Sequence, residues 1–237
     1  MTTSKQFLVR AAARNNAEWC AAMSRSHGLV SEFGAQFWAA PARTPLYYPD
    51  AVTLVPGADW VALAAQIDTA APDASVKDSF ADLDLTEAGF QVLFEAQWIH
   101  RPASAPALTS DLAWDMVGDP DMLRAWALAW DNEDGNADLF RPELLDDPAT
   151  FVLAGQSADG RVVAGGVASR SDHVVGISNV FALDGGPDTA WPGVLDAVNW
   201  LFPTLTVVGY EQADDLVAAI RHGFEPMGPL RIWLHGS

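Results

Sequence analysis

The chain has 237 residues, half of them apolar, with 31 acidic against 13 basic side chains and a net charge of −18. That balance argues against nucleic-acid and anionic-membrane partners, which need clustered Lys and Arg. A lone cysteine, Cys20, rules out an internal disulfide and a four-cysteine zinc site. The apolar half can fill the core of one or two domains. No apolar run reaches the ~18 residues of a membrane helix, and no signal core precedes Arg14-Asn15-Asn16, so a cytoplasmic location is expected.

A first helix is predicted over 11–27, stopped by Gly28. A short strand is read at 36–38 and a buried one at 51–55. Pro56-Gly57-Ala58-Asp59 forms a turn, and Asp59 caps a helix that Trp60 opens and that reaches residue 69. A strand at 75–80, a short helix at 82–88 ended by Gly89, and a strand at 90–100 complete the first half. The stretch 102–110, with two prolines and no periodicity, reads as a linker between a lobe at 1–101 and a lobe at 111–237. In the second lobe, 112–117 is strand-like, and 120–130 is a helix with Leu123, Trp126 and Trp130 on one face. Strands at 151–154 and 161–170 flank the tight turn Ala158-Asp159-Gly160. A strand at 174–182, a helix at 189–202, a strand at 204–209, a helix at 212–222 ended by Gly223, and a strand at 224–234 follow.

The halves share a spacing. Trp60 lies twelve residues before Pro72, and Trp191 twelve before Pro203. Each proline precedes a strand and a helix ending in Gly-Phe, Gly89-Phe90 and Gly223-Phe224, and a strand carrying Trp98 or Trp233 closes each unit. This order points to an internal duplication. Residues 111–147 hold eleven acidic and two basic side chains, but no EF-hand register fits. With Gly135 at its sixth position, positions one and twelve fall on Trp130 and Arg141, so the stretch reads as a solvated acidic loop. The histidines, His27, His100, His173, His222 and His235, have no metal spacing, and no metal is expected. There is no Gly-x-Ser-x-Gly elbow. Cys20 sits among apolar neighbours and is expected in the core.

The second half resembles the GNAT acetyltransferase superfamily. The resemblance rests on the hairpin Phe151-Val-Leu-Ala-Gly…Asp159-Gly160-Arg161-Val-Val-Ala-Gly-Gly-Val, on Ile177-Ser-Asn-Val-Phe-Ala-Leu183, and on Val207-Val-Gly-Tyr-Glu-Gln…Ala219-Ile-Arg-His-Gly-Phe224. It implies an α/β (α+β) fold of tandem GNAT-like lobes, each a mixed β-sheet flanked by helices, the first lobe degenerate. It also implies that acetyl-CoA or another acyl-CoA lies beside the strand 174–183. Backbone groups of Val180, Phe181, Ala182 and Leu183 would bond the pantetheine. The diphosphate would meet the loop Asp184-Gly185-Gly186-Pro187-Asp188-Thr189, with Gly185, Gly186, Asp188 and Thr189 as binding residues.

That loop departs from the family pattern: it has no basic residue, and Pro187 has no N–H. A carboxylate of Asp184 or Asp188 about 4 Å from a phosphate would cost roughly 4 kcal/mol at an effective dielectric of 20. The other reading is that Asp188 caps the helix and Asp184 faces water. The tyrosine and asparagine common on the last helix are Ala219 and Gln212 here. Glu211 is the candidate general base and Tyr210 the candidate acid. Alternatively, Glu211 only favours the helix N-terminus electrostatically.

Two functions stay open. One is an acyl-CoA-dependent N-acyltransferase acting on a small-molecule amine, which the acidic field would attract. The other is a catalytically inactive GNAT-like ligand-binding or interaction protein. A homodimer is compatible with either. A basic side chain brought near Gly185 and Gly186 by the fold would favour the first, and its absence the second.

Overall fold

The computed structural model describes residues 3–70, 72–106, 108–131 and 136–236. They form two compact units, Met1–Trp98 with Pro226–Ser237, and Ile99–Glu225. The acidic loop of the sequence reading falls in part on residues 132–135, outside the described set.

In the first unit, helix α1 runs over Thr3–Ser26, eight residues longer at its start than its Ala-rich stretch suggested. Lys5, Gln6, Leu8 and Arg10 are good helix formers and extend it. Gly28, at φ 73°, ends it. The short strands β1 (Glu32–Phe33), β2 (Phe37–Ala39) and β3 (Ala51–Thr53) follow, then α2 (Trp60–Ala64) and β4 (Ser75–Asp78). Asp59 caps α2, accepting from the amides of Val61 and Ala62 at 3.0 and 3.2 Å. The helix stops at Ala64 instead of reaching residue 69, because the chain turns there: Asp68 accepts its own Ala70 amide, and its carbonyl accepts from Arg43. Strand β3 pairs antiparallel with β2 and parallel with β4, so the sheet is mixed.

The long strand β5 (Phe90–Arg101) carries the chain from the first unit into the second, and the last strand β11 (Glu225–His235) returns it. Strand β11 pairs antiparallel with β4, so residues 226–237 sit with the first unit, whereas the sequence reading grouped them with 111–225. Hydrophobic pattern marks a strand but does not name its neighbour. Asp50, 1% exposed, organises the irregular stretch before β3. It accepts from Arg43, from the Thr44 amide and hydroxyl, and from the Ser75 amide. Cys20 is buried as expected, and burial pushes its thiol up to about 11.

The second unit holds β6 (Ala113–Met116), α3 (Pro120–Trp130), β7 (Thr150–Gln156), β8 (Val162–Arg170), β9 (Val174–Ala182), α4 (Pro187–Leu201), β10 (Thr206–Glu211) and α5 (Ala213–Arg221). Strands β6, β7, β8 and β9 are successively antiparallel, and β9 and β10 are parallel across the α4 crossover. Its core gathers Leu153, Val175, Trp191, Val194, Val198, Val207, Ala219 and Phe224 between the sheet and the last two helices. Three glycines make room for indoles. A Cβ on Gly165 would run into Trp126, and one on Gly155 or Gly193 into Trp114.

The β7–β8 hairpin turns as its sequence indicates, with Gly160 at φ 82° and its amide donating to Ser157 O at 2.9 Å. Gly160→Val places a β-branched side chain in a left-handed conformation. It should destabilise the protein by about 1 kcal/mol or more, read as a lowered urea midpoint with an unchanged slope. An unchanged midpoint would mean that this turn is not strained.

Both Gly-Phe pairs close in the same way. Gly89 and Gly223 stand at φ 84° and 89°, and each donates its amide to the carbonyl three residues back, Thr86 and Ile220. The following Phe90 and Phe224 donate to Leu85 and Ala219, five residues back, both at 3.2 Å. Only glycine takes that conformation at little cost.

Candidate functional site

Strands β9 and β10 pair for only three residues, Val174 with Thr206, Val175 with Val207 and Gly176 with Val208. Both then continue, β9 to Ala182 and β10 to Glu211, with no further ladder pair among the described residues. The parting coincides with a bulge: the β8–β9 ladder slips at Gly165/Val167, opposite Asn179, which holds φ 54°. Just before the strands part, Gly209 lies close to β9, and a Cβ on it would be 3.1 Å from Ile177 O. The result is a wedge between two parallel strand ends, with the edge of β9 unpaired on that side.

Val180, Phe181 and Ala182 lie on this edge. Phe181 turns to the α3 side, where its ring meets Trp126 at 5.3 Å. Val180 packs among the core residues under α4. Leu183, expected to bond the pantetheine through its backbone, donates its amide to Val163 O at 2.9 Å, on the β8 side. The loop then turns through Gly185 and Gly186, at φ 78° and 67°. Gly186 is the N-cap of α4 and offers no side chain. The Thr189 hydroxyl lies 2.8 Å from Asp184 O and 2.9 Å from Gly186 O, holding the loop closed. The amides of Gly185, Gly186 and Asp188 have no acceptor among the described residues. They could receive an anion at the start of a 15-residue helix.

Asp188 neither caps the helix nor stands alone. Its Oδ2 accepts from Arg221 Nη2 at 2.9 Å, and its Oδ1 lies 2.8 Å from His222 Nε2. Both partners sit at the C-terminal end of α5. The fold thus supplies the basic side chains that the loop sequence lacks. In the sequence, Arg221 and His222 stand only at the end of the helix read over 212–222, more than thirty residues from the loop. The pointer was their place just before Gly223-Phe224, the punctuation that returns the chain from α5. On the other flank of the loop a cleft of about 540 Å³ is lined by Ala182, Asp184, Thr189, Asp111 and Arg161.

Glu211 ends β10, half-buried, with no hydrogen-bond partner among the described residues. Burial pushes its carboxyl up to about 8, and the nearby Asp215 charge adds to the rise. Strand alternation puts Glu211 on the face of Val207, under α4 and α5, and Tyr210 on the opposite face. The two candidates are adjacent in sequence and do not share a face. Ala219, in the position of the family's tyrosine, is fully buried.

In the first unit, strand β4 pairs in parallel with β3 at Val76 and Lys77, and beyond the pairs the Thr53 hydroxyl accepts the Ser79 amide at 2.8 Å. Asp78, wholly buried, accepts from Phe80 and Leu83, and Trp98 Nε1 donates to Ser79 O at 2.8 Å, so the polar groups after β4 are bonded within the unit. Among the described residues, no group of three or more His, Cys, Asp or Glu is placed to hold a metal, and no helix is long and apolar enough to cross a membrane.

A GCN5-related N-acetyltransferase from Kribbella flavida superposes with a TM-score of 0.61 at 17% identity, covering 95% of this chain and 96% of that one. The chain has the GNAT fold. A GNAT-family protein from Novosphingobium aromaticivorans matches with a TM-score of 0.56 at 14% identity, over 92% and 96% of the two chains. A conserved protein of unknown function from Staphylococcus epidermidis matches at 0.55 and 12% identity, over 84% of each chain. No protein-family model and no curated protein matches the sequence. At these identities the likeness to the GNAT fold is one of architecture. The chemistry has to come from the side chains in the wedge.

Proposed function

We propose that the second unit is an acyl-CoA-dependent N-acyltransferase, with acetyl-CoA as the simplest donor and a small amine as acceptor. The observation that carries this reading is the wedge itself: a free strand edge, three unbonded amides at the start of α4, and a carboxyl raised to about 8 at the end of the facing strand. An acyl-CoA, when bound, supplies the activated acyl group. The edge of β9 aligns the pantetheine by backbone hydrogen bonds, and the amides of Gly185, Gly186 and Asp188 receive the diphosphate.

Glu211, as carboxylate, takes a proton from the amine while the nitrogen bonds to the acyl carbon. The acyl carbon's bond to sulfur breaks as the amide forms, and the departing thiolate takes its proton from solvent, because Tyr210 lies on the face of the sheet opposite Glu211. A base whose proton affinity lies near the working pH suits this step. The bonded strand ends of β3 and β4 support reading the first unit as a degenerate copy.

One observation favours the inactive alternative, the buried Ala219 where the family places a tyrosine. Thiol release from acetyl-CoA, followed with a panel of primary amines and amino acids, tests the enzyme reading. Amine-dependent release is expected. Saturable acetyl-CoA binding without release by any amine would support the inactive binding protein instead.

A further inference from the structure

The Asp188–Arg221–His222 cluster is half open to solvent. The side chains of Arg221 and Asp188 are 58% and 42% exposed, and that of His222 is 17%. An exposed ion pair of this kind adds little to stability, typically ~0–1 kcal/mol, yet it is carefully placed. Arg101, 6% exposed, donates its Nε to His222 O at 2.9 Å and also reaches Pro106 O, which pins the end of α5. Trp191 lies one turn beyond Asp188 on the same face of α4 and packs on Phe224 at 5.0 Å. Its indole N–H is buried and without an acceptor among the described residues. The Arg221 guanidinium and the His222 ring are thus held by the Asp188 carboxylate at the first turn of α4, where the amides of Gly185, Gly186 and Asp188 have no acceptor among the described residues.

We infer that Arg221 and His222 form the phosphate subsite for the nucleotide end of the acyl-CoA, and that Asp188 is a built-in counter-ion which the phosphate displaces. This rests on the acyl-CoA reading above. Arg221 replaces, from α5, the cation missing from the loop 184–189. Its guanidinium donates to a phosphate oxygen as Nη2 now donates to the Asp188 carboxylate.

Calorimetric titrations with acetyl-CoA and with S-acetylpantetheine, which lacks the phosphates, test the subsite on the intact chain. Arg221→Gln should weaken acetyl-CoA binding about tenfold or more, the factor expected for one charge-assisted hydrogen bond, and leave S-acetylpantetheine unchanged. Asp188→Asn should tighten acetyl-CoA binding by a few-fold, as a competitor for Arg221 and His222 is removed. Both sites are exposed enough for the variants to keep their melting temperatures. If the unaltered protein binds acetyl-CoA and Arg221→Gln binds it equally well, the subsite is wrong while the acyl-CoA reading stands. Equal losses of both ligands in Arg221→Gln, or weaker binding in Asp188→Asn, also overturn the subsite. If the unaltered protein binds no acetyl-CoA, both fall.

Discussion

Trp126→Ala is expected to remove roughly 4 kcal/mol of stability, the usual cost of deleting a fully buried indole. Trp126 is completely enclosed. It meets Phe140 and Phe181 edge-on at 4.9 and 5.3 Å, lies over Gly165, and donates Nε1 to Leu153 O at 2.9 Å. Its loss leaves a cavity between α3 and the sheet and frees a buried carbonyl from one partner. Trp200→Ala is the matched control: that indole is 78% exposed, and its loss should change stability by no more than about 0.5 kcal/mol. Urea unfolding of the two variants separates them. A cost below about 1 kcal/mol for Trp126→Ala would mean that α3 does not pack as described. The reverse substitution of volume, Gly165→Ala, should also be costly, because the new methyl meets both Trp126 and Phe181.

Glu211→Gln is expected to lower the acyl-transfer rate by about 10²–10⁴, the range for losing a general base, with little change in the acetyl-CoA dissociation constant. The pH dependence carries the same information. Only the carboxylate can accept the amine proton, so kcat/KM of the unaltered protein should climb with pH through about 8. That rise should vanish in Glu211→Gln. Stability responds in the opposite sense. A carboxyl raised from 4.5 to about 8 in the folded protein favours the protonated form, so its contribution is complete below pH 4.5 and is lost as pH rises to about 8. Glu211→Gln should therefore lose less stability than the unaltered protein over that window, which denaturant midpoints at several pH values will show. A rate profile unchanged by the substitution would remove Glu211 from the mechanism.

Much of the second unit was legible from sequence because its elements carry strong local signals. The α3 and β9 bounds follow from Pro120 after a capping Asp119, and from a mostly apolar, β-branched stretch between a turn and a glycine loop. The Asp159-Gly160 turn and the Gly-Phe closures are set by backbone conformations that glycine adopts cheaply. What stayed hidden was non-local. Nothing in Pro226–His235 announces that it pairs with Val76 and Lys77, because a strand's pattern marks its faces and leaves its neighbour open. Asp188 looked like a repulsive charge or a helix cap because its partners, Arg221 and His222, lie more than thirty residues away. Tyr210 and Glu211 looked like a pair because they are adjacent, although adjacency in a strand puts side chains on opposite faces.

The most direct test of the central claim is an equilibrium titration of the intact protein with acetyl-CoA that yields a stoichiometry as well as an affinity. The open wedge in the second unit, and the bonded strand ends in the first, predict saturable binding of one acetyl-CoA per chain. Absence of binding at millimolar acetyl-CoA, or saturation at two per chain, would contradict it.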